Sequence, residues 1–198
     1  MKKLLITGFE PFDREEINPS WEAISRLPDE IKGYTLTKLR IPVVFGKAAE
    51  QVLAVADEVR PDVILCVGQA GGRSAITPEL VAINLRYAKI PDNEGQQPKD
   101  EPIFPDGNCA YFSTLPVRQM AEAISAAGIA SQVSYSAGAY VCNDLLYTLL
   151  AHFQNTRTKV GFVHIPYSKE QGKEPAMEVA DMIKGLTVAI ENMETENK

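Results

Sequence analysis

The chain has few of the residues that mark metal sites, disulfide frameworks and nucleic-acid surfaces. Its 198 residues include three cysteines and two histidines, and Cys66, Cys109 and Cys142 show no metal-like spacing. An odd number of cysteines without such spacing predicts reduced thiols. The formal net charge of −6 and the isoelectric point near 5.1 argue against a surface that binds nucleic acid or an anionic membrane.

Long apolar runs are also missing. The run that begins at Leu4 stops at Thr7, which is too short for a signal peptide or a membrane span, so we expect a cytoplasmic protein. Apolar residues make up 45% and charged residues 23% of the chain, as in ordinary globular proteins. A chain of this length suits one domain, so residues 1–198 are predicted to form a single domain.

Strand-like and helical patterns alternate along the chain. The predicted strands lie at 3–9, 34–45, 62–67, 132–136 and 159–167, with 79–87 as a further candidate. The predicted helices begin near positions 19, 46, 114, 142 and 174, the first capped by Asn18 and the third by Thr114. A long loop is expected at 91–109 and a frayed tail at 191–198. This order predicts a three-layer α/β/α sandwich around a largely parallel sheet, with ligands at the carboxyl ends of the strands.

Cys142 lies where two sequence patterns meet. Residues 132–136 alternate as in a strand, whereas Leu145 and Leu149 repeat at helical spacing. Cys142 is therefore predicted to lie at a helix start, where unpaired N–H groups and the helix dipole lower the pKa of a thiol. A free cysteine is also commonly a small buried hydrophobe, and this alternative stays open on the local pattern.

Only one of the two histidines can act with Cys142. His152 lies in the same predicted helix, about 15 Å along its axis, and cannot reach the sulfur. His164 lies near the end of the apolar run at 159–167, which is typical of a buried strand. A strand, a helix and a strand in succession favour two parallel neighbouring strands, whose carboxyl ends share one sheet edge. We therefore expect Cys142 and His164 to meet there as a nucleophile and its base.

The glycine-rich segment 68–73 allows a different interpretation. It follows a buried strand, as phosphate loops do, but it lacks their Lys-Ser/Thr ending and the spacing of a dinucleotide fingerprint. A nucleoside-phosphorylase-like transferase would use Gly71, Gly72 and Arg73 for phosphate. Glycines also let backbone approach a substrate, so the pattern alone leaves both interpretations open.

Several motifs, which span nearly the whole chain, resemble those of the pyroglutamyl-peptidase I family in the family's order. They are Thr7-Gly8-Phe9-Glu10-Pro11-Phe12, Gly68-Gln69-Ala70-Gly71-Gly72-Arg73, Ile76-Thr77-Pro78-Glu79, Ile90-Pro91-Asp92-Asn93-Glu94-Gly95, Tyr140-Val141-Cys142-Asn143 and Phe162-Val163-His164-Ile165-Pro166. The resemblance implies a phosphorylase/hydrolase-like fold with a mixed sheet. It also implies a catalytic domain that acts as a cysteine exopeptidase and removes an N-terminal pyroglutamyl (5-oxoproline) residue from peptides through a thioester. No metal or other cofactor is expected, and a homo-oligomer, often a tetramer, is implied.

The family's catalytic triad maps by motif onto Cys142, His164 and Glu79. Glu79 would accept the N–H of the His164 ring nitrogen that faces away from the sulfur, which fixes the imidazole tautomer. Apolar walls with a few backbone partners suit a neutral five-membered lactam. The residues expected to bind the substrate are Phe9, Phe12, Asn18, Gln69, Lys89, Tyr140 and Val141.

Lys89 is a departure from the family. Arginine usually precedes the Ile-Pro-Asp-Asn-Glu-Gly run, and lysine keeps its charge but loses its planar fork. A non-catalytic homologue that binds pyroglutamate is therefore a further alternative.

Overall fold

The structure, a computed structural model, describes residues 1–194 of the chain. Its strands are β1 (Lys2–Phe9), β2 (Glu30–Ile31), β3 (Tyr34–Ile41), β4 (Val63–Gln69), β5 (Thr77–Pro78), β6 (Val81–Ile83), β7 (Ala110–Phe112), β8 (Lys159–Ile165), β9 (Tyr167–Ser168) and β10 (Ala176–Met177). Its α-helices are α1 (Pro19–Ser25), α2 (Lys47–Val59), α3 (Val117–Ala126), α4 (Val141–Phe153) and α5 (Val179–Glu191), and a 3-10 helix, Lys169–Gln171, follows β9. No helix within this range is long and apolar enough to cross a membrane.

The main sheet is mixed, with strand order β2-β3-β1-β4-β8-β5. The four central strands run parallel, whereas β2 and β5 pair antiparallel at the two edges. The central strands β1, β4 and β8 are apolar and buried along most of their length, as expected for strands covered on both faces. The predicted α/β architecture with a largely parallel, mixed sheet is confirmed.

Two layers of helices cover the sheet. Helices α1, α3 and α5 pack on one face against side chains such as Leu4 and Leu65. Helices α2 and α4 pack on the other face against their sequence neighbours, such as Leu5 and Cys66. Successive strand residues face opposite layers, so each central strand contributes to both cores, and each large apolar side chain buried there contributes about 1.5–3 kcal/mol.

Two predicted helix caps have different outcomes. Asn18 caps α1 as expected, because its side-chain oxygen accepts the backbone N–H of Ser20 at 3.1 Å. Thr114 does not cap α3, which begins at Val117 with Pro116 in the capping position. The Thr114 hydroxyl instead accepts the backbone N–H of Val160 at 2.6 Å, so it joins the helical layer to β8.

Two strand predictions are wrong or incomplete. Residues 132–136 do not form a strand of the sheet; Ser131 and Ser134 make isolated bridges to Ile76 and Glu79. The expected parallel pairing of this segment with β8 is therefore wrong, since β8 lies between β4 and β5. Of the candidate strand at 79–87, only β6 forms, and it pairs with β7 outside the main sheet.

The end of the described chain is more ordered than predicted. Helix α5 continues to Glu191, Met193 is buried, and Glu194 accepts a hydrogen bond from the Lys2 ammonium at 2.6 Å. The expectation of a frayed tail is therefore wrong for residues 191–194. The remainder of that predicted tail, 195–198, lies outside the described residues.

Candidate active site

Cys142 is placed at the start of α4, as predicted. The first backbone hydrogen bond of this helix runs from Asp144 N–H to the Tyr140 carbonyl at 3.1 Å, so the N–H of Cys142 precedes the helical ladder. Cys142 as a whole residue is partly exposed, while its sulfur packs against β4. A helix start of this kind directs unpaired N–H groups toward the space beside the sulfur.

Cys142 and His164 converge on Gly68. A Cβ atom built on Gly68 would lie 3.0 Å from Cys142 Sγ, so the sulfur rests directly against the backbone of β4. Gly68 is also the register partner of His164 in the parallel ladder of β4 and β8. Neighbouring strands lie about 4.8 Å apart, which brings the imidazole and the thiol to the same sheet edge.

Glu79 reaches His164 because β5 pairs antiparallel with the end of β8. Thr77 is the register partner of His164, and the N–H of Glu79 donates to the Phe162 carbonyl at 2.9 Å. His164 Nδ1 then lies 2.7 Å from Glu79 Oε1. Both side chains are buried, with 4% of His164 and none of Glu79 exposed. The carboxylate and the ring form a pair that is closed to water.

The protonation states of this pair follow from burial and charge. Burial raises the pKa of Glu79, but the hydrogen bond and charge of His164, with smaller effects of Ser134 and Arg73, outweigh it and leave that pKa below its ordinary value. Burial, together with the positive charge of Arg73, lowers the pKa of His164 by more than the hydrogen bond and charge of Glu79 raise it. Glu79 is therefore a carboxylate and His164 a neutral imidazole at neutral pH. A carboxylate only accepts, so Nδ1 carries the ring proton and Nε2 is free to take another.

The environment of the thiol differs from the sequence-based expectation. Burial and the negative charge of Glu79 raise the pKa of Cys142, whereas Arg73 and the backbone N–H of Cys142 itself lower it by less. The expected lowering of this pKa by the helix start is outweighed in the free chain. The resting pair is a neutral thiol beside a neutral imidazole, so the thiolate forms only when a base takes its proton.

Sequence reasoning missed Arg73 as part of this site. Its Nη1 donates to Glu79 Oε1 and to the Thr77 hydroxyl, each at 2.6 Å, and its Nη2 donates to the Ser136 carbonyl at 3.1 Å. The guanidinium that a phosphate site would need is thus engaged with a carboxylate. The one available signal was that Arg73 lies six residues before Glu79, but its reach depends on the path of the loop.

Aromatic side chains of the apolar cluster that contains Cys142 form a wall near the start of α4. Phe9 packs against Phe162 with ring centroids 6.4 Å apart, and Phe162 packs against the ring of His164 at 4.7 Å. Phe12 lies 6.3 Å from the ring of Tyr140. The Tyr140 hydroxyl donates to the Pro91 carbonyl at 3.0 Å, so the 91–95 segment is tied to this wall.

The remaining residues predicted to bind substrate have different placements. Val141 is fully buried beside Cys142. Asn18 is also buried, and it donates to the Glu10 carbonyl at 3.0 Å, which holds the loop that carries Phe12. Its contact with a substrate stays a prediction.

The side chains of Gln69 and Lys89 are not directed at the expected substrate position in an evident way. The side-chain oxygen of Gln69 accepts from Gln171 Nε2 at 2.9 Å. Alternation along β4 puts this side chain on the face opposite Gly68, so a contact with substrate would come from the Gln69 backbone. Lys89 is exposed, and its side chain takes no part in the hydrogen bonds around Glu79 among residues 1–194.

A metal site does not emerge from these side chains. Within residues 1–194, no group of three or more His, Cys, Asp or Glu residues is arranged to hold a metal ion. What the arrangement offers chemically is a thiol, a neutral imidazole with a fixed tautomer and a buried carboxylate. This set suits nucleophilic attack on a carbonyl with proton transfer through the imidazole.

Comparisons with known proteins point to one family. The sequence model of a family described as pyroglutamyl peptidase matches residues 2–196. The pyrrolidone-carboxylate peptidase of Lactobacillus helveticus is 49% identical over 194 residues, with 96% of this chain and 97% of that protein covered. That of Levilactobacillus brevis is 51% identical over 195 residues, with 95% of each covered.

Solved structures show the same fold. The crystal structure of pyroglutamyl peptidase I from Bacillus amyloliquefaciens superimposes with a TM-score of 0.94 at 42% identity, covering 98% of this chain and 96% of that one. The pyrrolidone carboxyl peptidase of Thermococcus litoralis superimposes with a TM-score of 0.92 at 34% identity, covering 98% and 93%.

Proposed function

The chain belongs to the pyroglutamyl peptidase family, and we propose that it removes the N-terminal pyroglutamyl residue of peptides through a thioester on Cys142. It is accordingly a hydrolase of a cysteine peptidase family. The observation that carries the mechanism is the buried 2.7 Å contact between His164 Nδ1 and Glu79 Oε1. This pair lies beside Gly68 of β4, the position against which Cys142 Sγ packs. Cys142 is the nucleophile, His164 is the base and acid, and Glu79 fixes the imidazole.

The first half of the reaction forms the thioester. Nε2 of the neutral His164 takes the thiol proton as Sγ attacks the carbonyl carbon that links the lactam ring to the next residue. The carbonyl oxygen becomes an oxyanion, which the unpaired N–H of Cys142 at the start of α4 stabilises. When the tetrahedral intermediate collapses, the carbon–nitrogen bond breaks and the imidazolium gives its proton to the leaving amine.

The second half releases the pyroglutamyl group. Water takes the place of the departed peptide, and His164 Nε2 accepts its proton as the oxygen attacks the thioester carbon. The carbon–sulfur bond then breaks, the sulfur regains a proton from the imidazolium, and 5-oxoproline leaves. Glu79 stays ionised throughout and favours the imidazolium in both halves.

The aromatic wall accounts for the proposed preference for a pyroglutamyl residue over an ordinary N-terminal residue. Phe9, Phe12 and Tyr140 give the space beside Cys142 apolar sides, which suit a neutral lactam ring. An ordinary N-terminal residue would bring an ammonium that these rings would have to desolvate, and that costs free energy without a partner. The homo-oligomer expected from the resemblance stays a prediction, which sedimentation of the purified chain would check.

Release of a fluorogenic amine from a pyroglutamyl amide tests the function directly. We expect cleavage of this substrate and none of the matching prolyl amide, which lacks the lactam carbonyl and carries a charged nitrogen. Iodoacetamide should abolish the activity, and Cys142→Ala and His164→Ala should each lower turnover by about 10³-fold or more while the chain stays folded. Cys109→Ser, which removes an exposed thiol elsewhere, is the matched control and should keep full activity.

The outcomes separate the competing interpretations. Turnover close to that of the unaltered chain in Cys142→Ala would end the thioester mechanism. Binding of 5-oxoproline without turnover by the unaltered chain would favour the non-catalytic homologue, with Lys89→Arg as the next variant. Phosphate-dependent cleavage of a nucleoside would favour the phosphorylase interpretation, for which Arg73 would have to leave Glu79.

A further inference from the structure

Arg73 joins three parts of the active site through one guanidinium. Nη1 bonds Glu79 Oε1, the same oxygen that contacts His164 Nδ1. Nη1 also bonds the Thr77 hydroxyl, and Thr77 is the register partner of His164 in the sheet. Nη2 bonds the carbonyl of Ser136, in the segment that leads to Cys142. Arg73 therefore bonds Glu79 directly, bonds the strand partner of His164, and is tied to the segment that precedes Cys142.

We propose that Arg73 is a positioning residue of this active site, which holds the Glu79 carboxylate toward His164 and ties the segment before Cys142 to it. The inference deepens the proposed function and rests on it. Arg73 touches none of the reacting atoms; it acts through Glu79 and through the Ser136 carbonyl.

The second carboxylate oxygen of Glu79 shows why a positioning residue is needed. Oε2 of Glu79 is buried and has no hydrogen-bond partner among residues 1–194. The Ser134 hydroxyl donates to the Ser136 carbonyl at 3.2 Å and also helps to lower the pKa of Glu79. Both hydrogen bonds are made to Oε1, so the rotation of the carboxylate about its Cγ–Cδ bond is set only by the two donors that contact this oxygen. His164 supplies one of them and Arg73 the other.

Arg73 also sets the charge that His164 experiences. The charged and titratable groups facing His164 are Glu79 after β5, Arg73 in the loop after β4, and Cys142 at the start of α4. Burial and the positive charge of Arg73 both lower the pKa of His164, whereas Glu79 raises it. Loss of Arg73 should therefore raise that pKa and shift the acid limb of kcat/KM to higher pH. Glu79 keeps its hydrogen bond to His164, which lowers the pKa of the carboxyl more than Arg73 does.

A surface cavity makes this role open to chemical rescue. It has a volume of about 360 Å³ and is lined by Arg73 and Thr77 on one side and by the 132–136 segment on the other. The Arg73 side chain is 30% exposed. Truncation of Arg73 to alanine would therefore leave a hole that connects with solvent, and a free guanidinium ion can enter it and bond Glu79 in place of the side chain.

The test compares Arg73→Ala, Arg73→Lys and the unaltered chain with the fluorogenic pyroglutamyl amide. We expect kcat/KM of Arg73→Ala at neutral pH to fall about 10- to 100-fold, the effect of losing a hydrogen bond to a charged group, with its acid limb at higher pH. About 50 mM guanidinium, well below the molar concentrations that unfold proteins, should restore part of the activity. Arg73→Lys should keep the acid limb of the unaltered chain but not its full rate, since lysine keeps the charge and loses the fork.

Arg118→Ala is the matched control. Arg118 contacts the same 132–136 segment through the Tyr135 hydroxyl at 3.2 Å but has no bond to Glu79. It should keep the activity and pH profile of the unaltered chain and show no response to guanidinium beyond that of sodium chloride at equal ionic strength.

Three results would overturn the inference or its premise. A kcat/KM and acid limb in Arg73→Ala equal to those of an active unaltered chain would overturn the role of Arg73 alone. A lowered melting temperature with a rate that neither guanidinium nor lysine restores would assign Arg73 a purely structural role and also overturn it. An unaltered, folded chain that does not cleave the pyroglutamyl amide would overturn the proposed function and this inference with it.

Discussion

Glu79 Oε1 lies 2.7 Å from His164 Nδ1, although the two residues are 85 positions apart in the chain. Two short strands produce this contact, because β5 pairs with the end of β8 in an antiparallel ladder of two residue pairs. The carboxylate leaves the ring with one possible tautomer, in which Nε2 is unprotonated. The proposed base therefore has its tautomer fixed before a substrate arrives.

Replacement of Glu79 by glutamine should retain the shape of this pair and remove its negative charge. Arg73 and His164 Nδ1 share Oε1, so the amide oxygen would take that place and still accept from both, but without a charge it stabilises the imidazolium of the reaction much less. We expect kcat to fall by about 10²- to 10⁴-fold with little change in the circular dichroism spectrum. Glu94→Gln, which breaks an exposed pair with Lys47, should leave kcat unchanged. Equal rates for the two variants would show that the carboxylate is dispensable.

The pH dependence of the reaction follows from the directions of the two pKa shifts. Activity needs neutral His164, whose pKa lies below its ordinary value of 6.5, so the acid limb of kcat/KM should lie below pH 6.5. The thiol has a pKa above its ordinary value of 9.0, so alkylation by iodoacetamide should still accelerate with pH through neutrality. A Cys109→Ser background removes the exposed competing thiol. A plateau in the alkylation rate below neutral pH would instead indicate a preformed thiolate and imidazolium.

Gly68 should tolerate no side chain without loss of activity. A Cβ there would lie 2.7 Å from the Phe162 ring and 3.0 Å from Cys142 Sγ, so Gly68→Ala must displace one of them. We expect a stability loss of about 1–3 kcal/mol and a lower kcat/KM for the folded fraction. Gly161→Ala on β8, whose Cβ would overlap the Leu115 side chain, is the control for strain away from the thiol. It should lower stability and keep kcat/KM, and an equal loss of kcat/KM in both would contradict the placement of Cys142.

The buried ion pair between Arg86 and Asp144 should be the main electrostatic support of α4. Arg86 Nε donates to Asp144 Oδ1 at 2.6 Å, Asp144 Oδ2 accepts the N–H of Gly46 at 2.9 Å, and Asp144 is fully buried. Asp144→Ala would leave the partly exposed Arg86 unpaired, at a cost of about 2–3 kcal/mol in the free energy of unfolding. Urea denaturation measures this loss. Glu22→Ala removes an exposed i,i+4 pair with Arg26 and should change it by less than about 0.5 kcal/mol.

Sequence periodicity predicted the elements whose environment is uniform along their length. The apolar runs of β1, β4 and β8 and the helical stripes of α2 and α5 are local patterns, and the structure confirms them. The start of α1 was also predictable, because Asn18 and Pro19 are local cap and first-turn signals.

The segment before Cys142 shows what local patterns cannot give. Residues 132–136 alternate as a strand would, yet Ser131 and Ser134 pair only through single bridges with the segment around β5. The parallel arrangement expected to bring Cys142 to His164 does not exist, and the two side chains meet through Gly68 on β4 instead. The pairing partners of an edge segment depend on which other strands of the fold are available beside it, and no pattern within the segment encodes that.

Asn18 makes the first turn of α1 and one wall of the pocket a single cooperative unit. Its amide caps the helix at Ser20 and holds the Glu10 carbonyl, while the Ser20 hydroxyl accepts the N–H of Phe9 at 2.9 Å. Opening of this turn would release the end of β1 and the Phe12 loop together. The amide protons of Phe9 and Ser20 should therefore exchange with solvent with one common free energy of opening. The protein cannot lose the order of this helix start and keep the Phe12 loop in place.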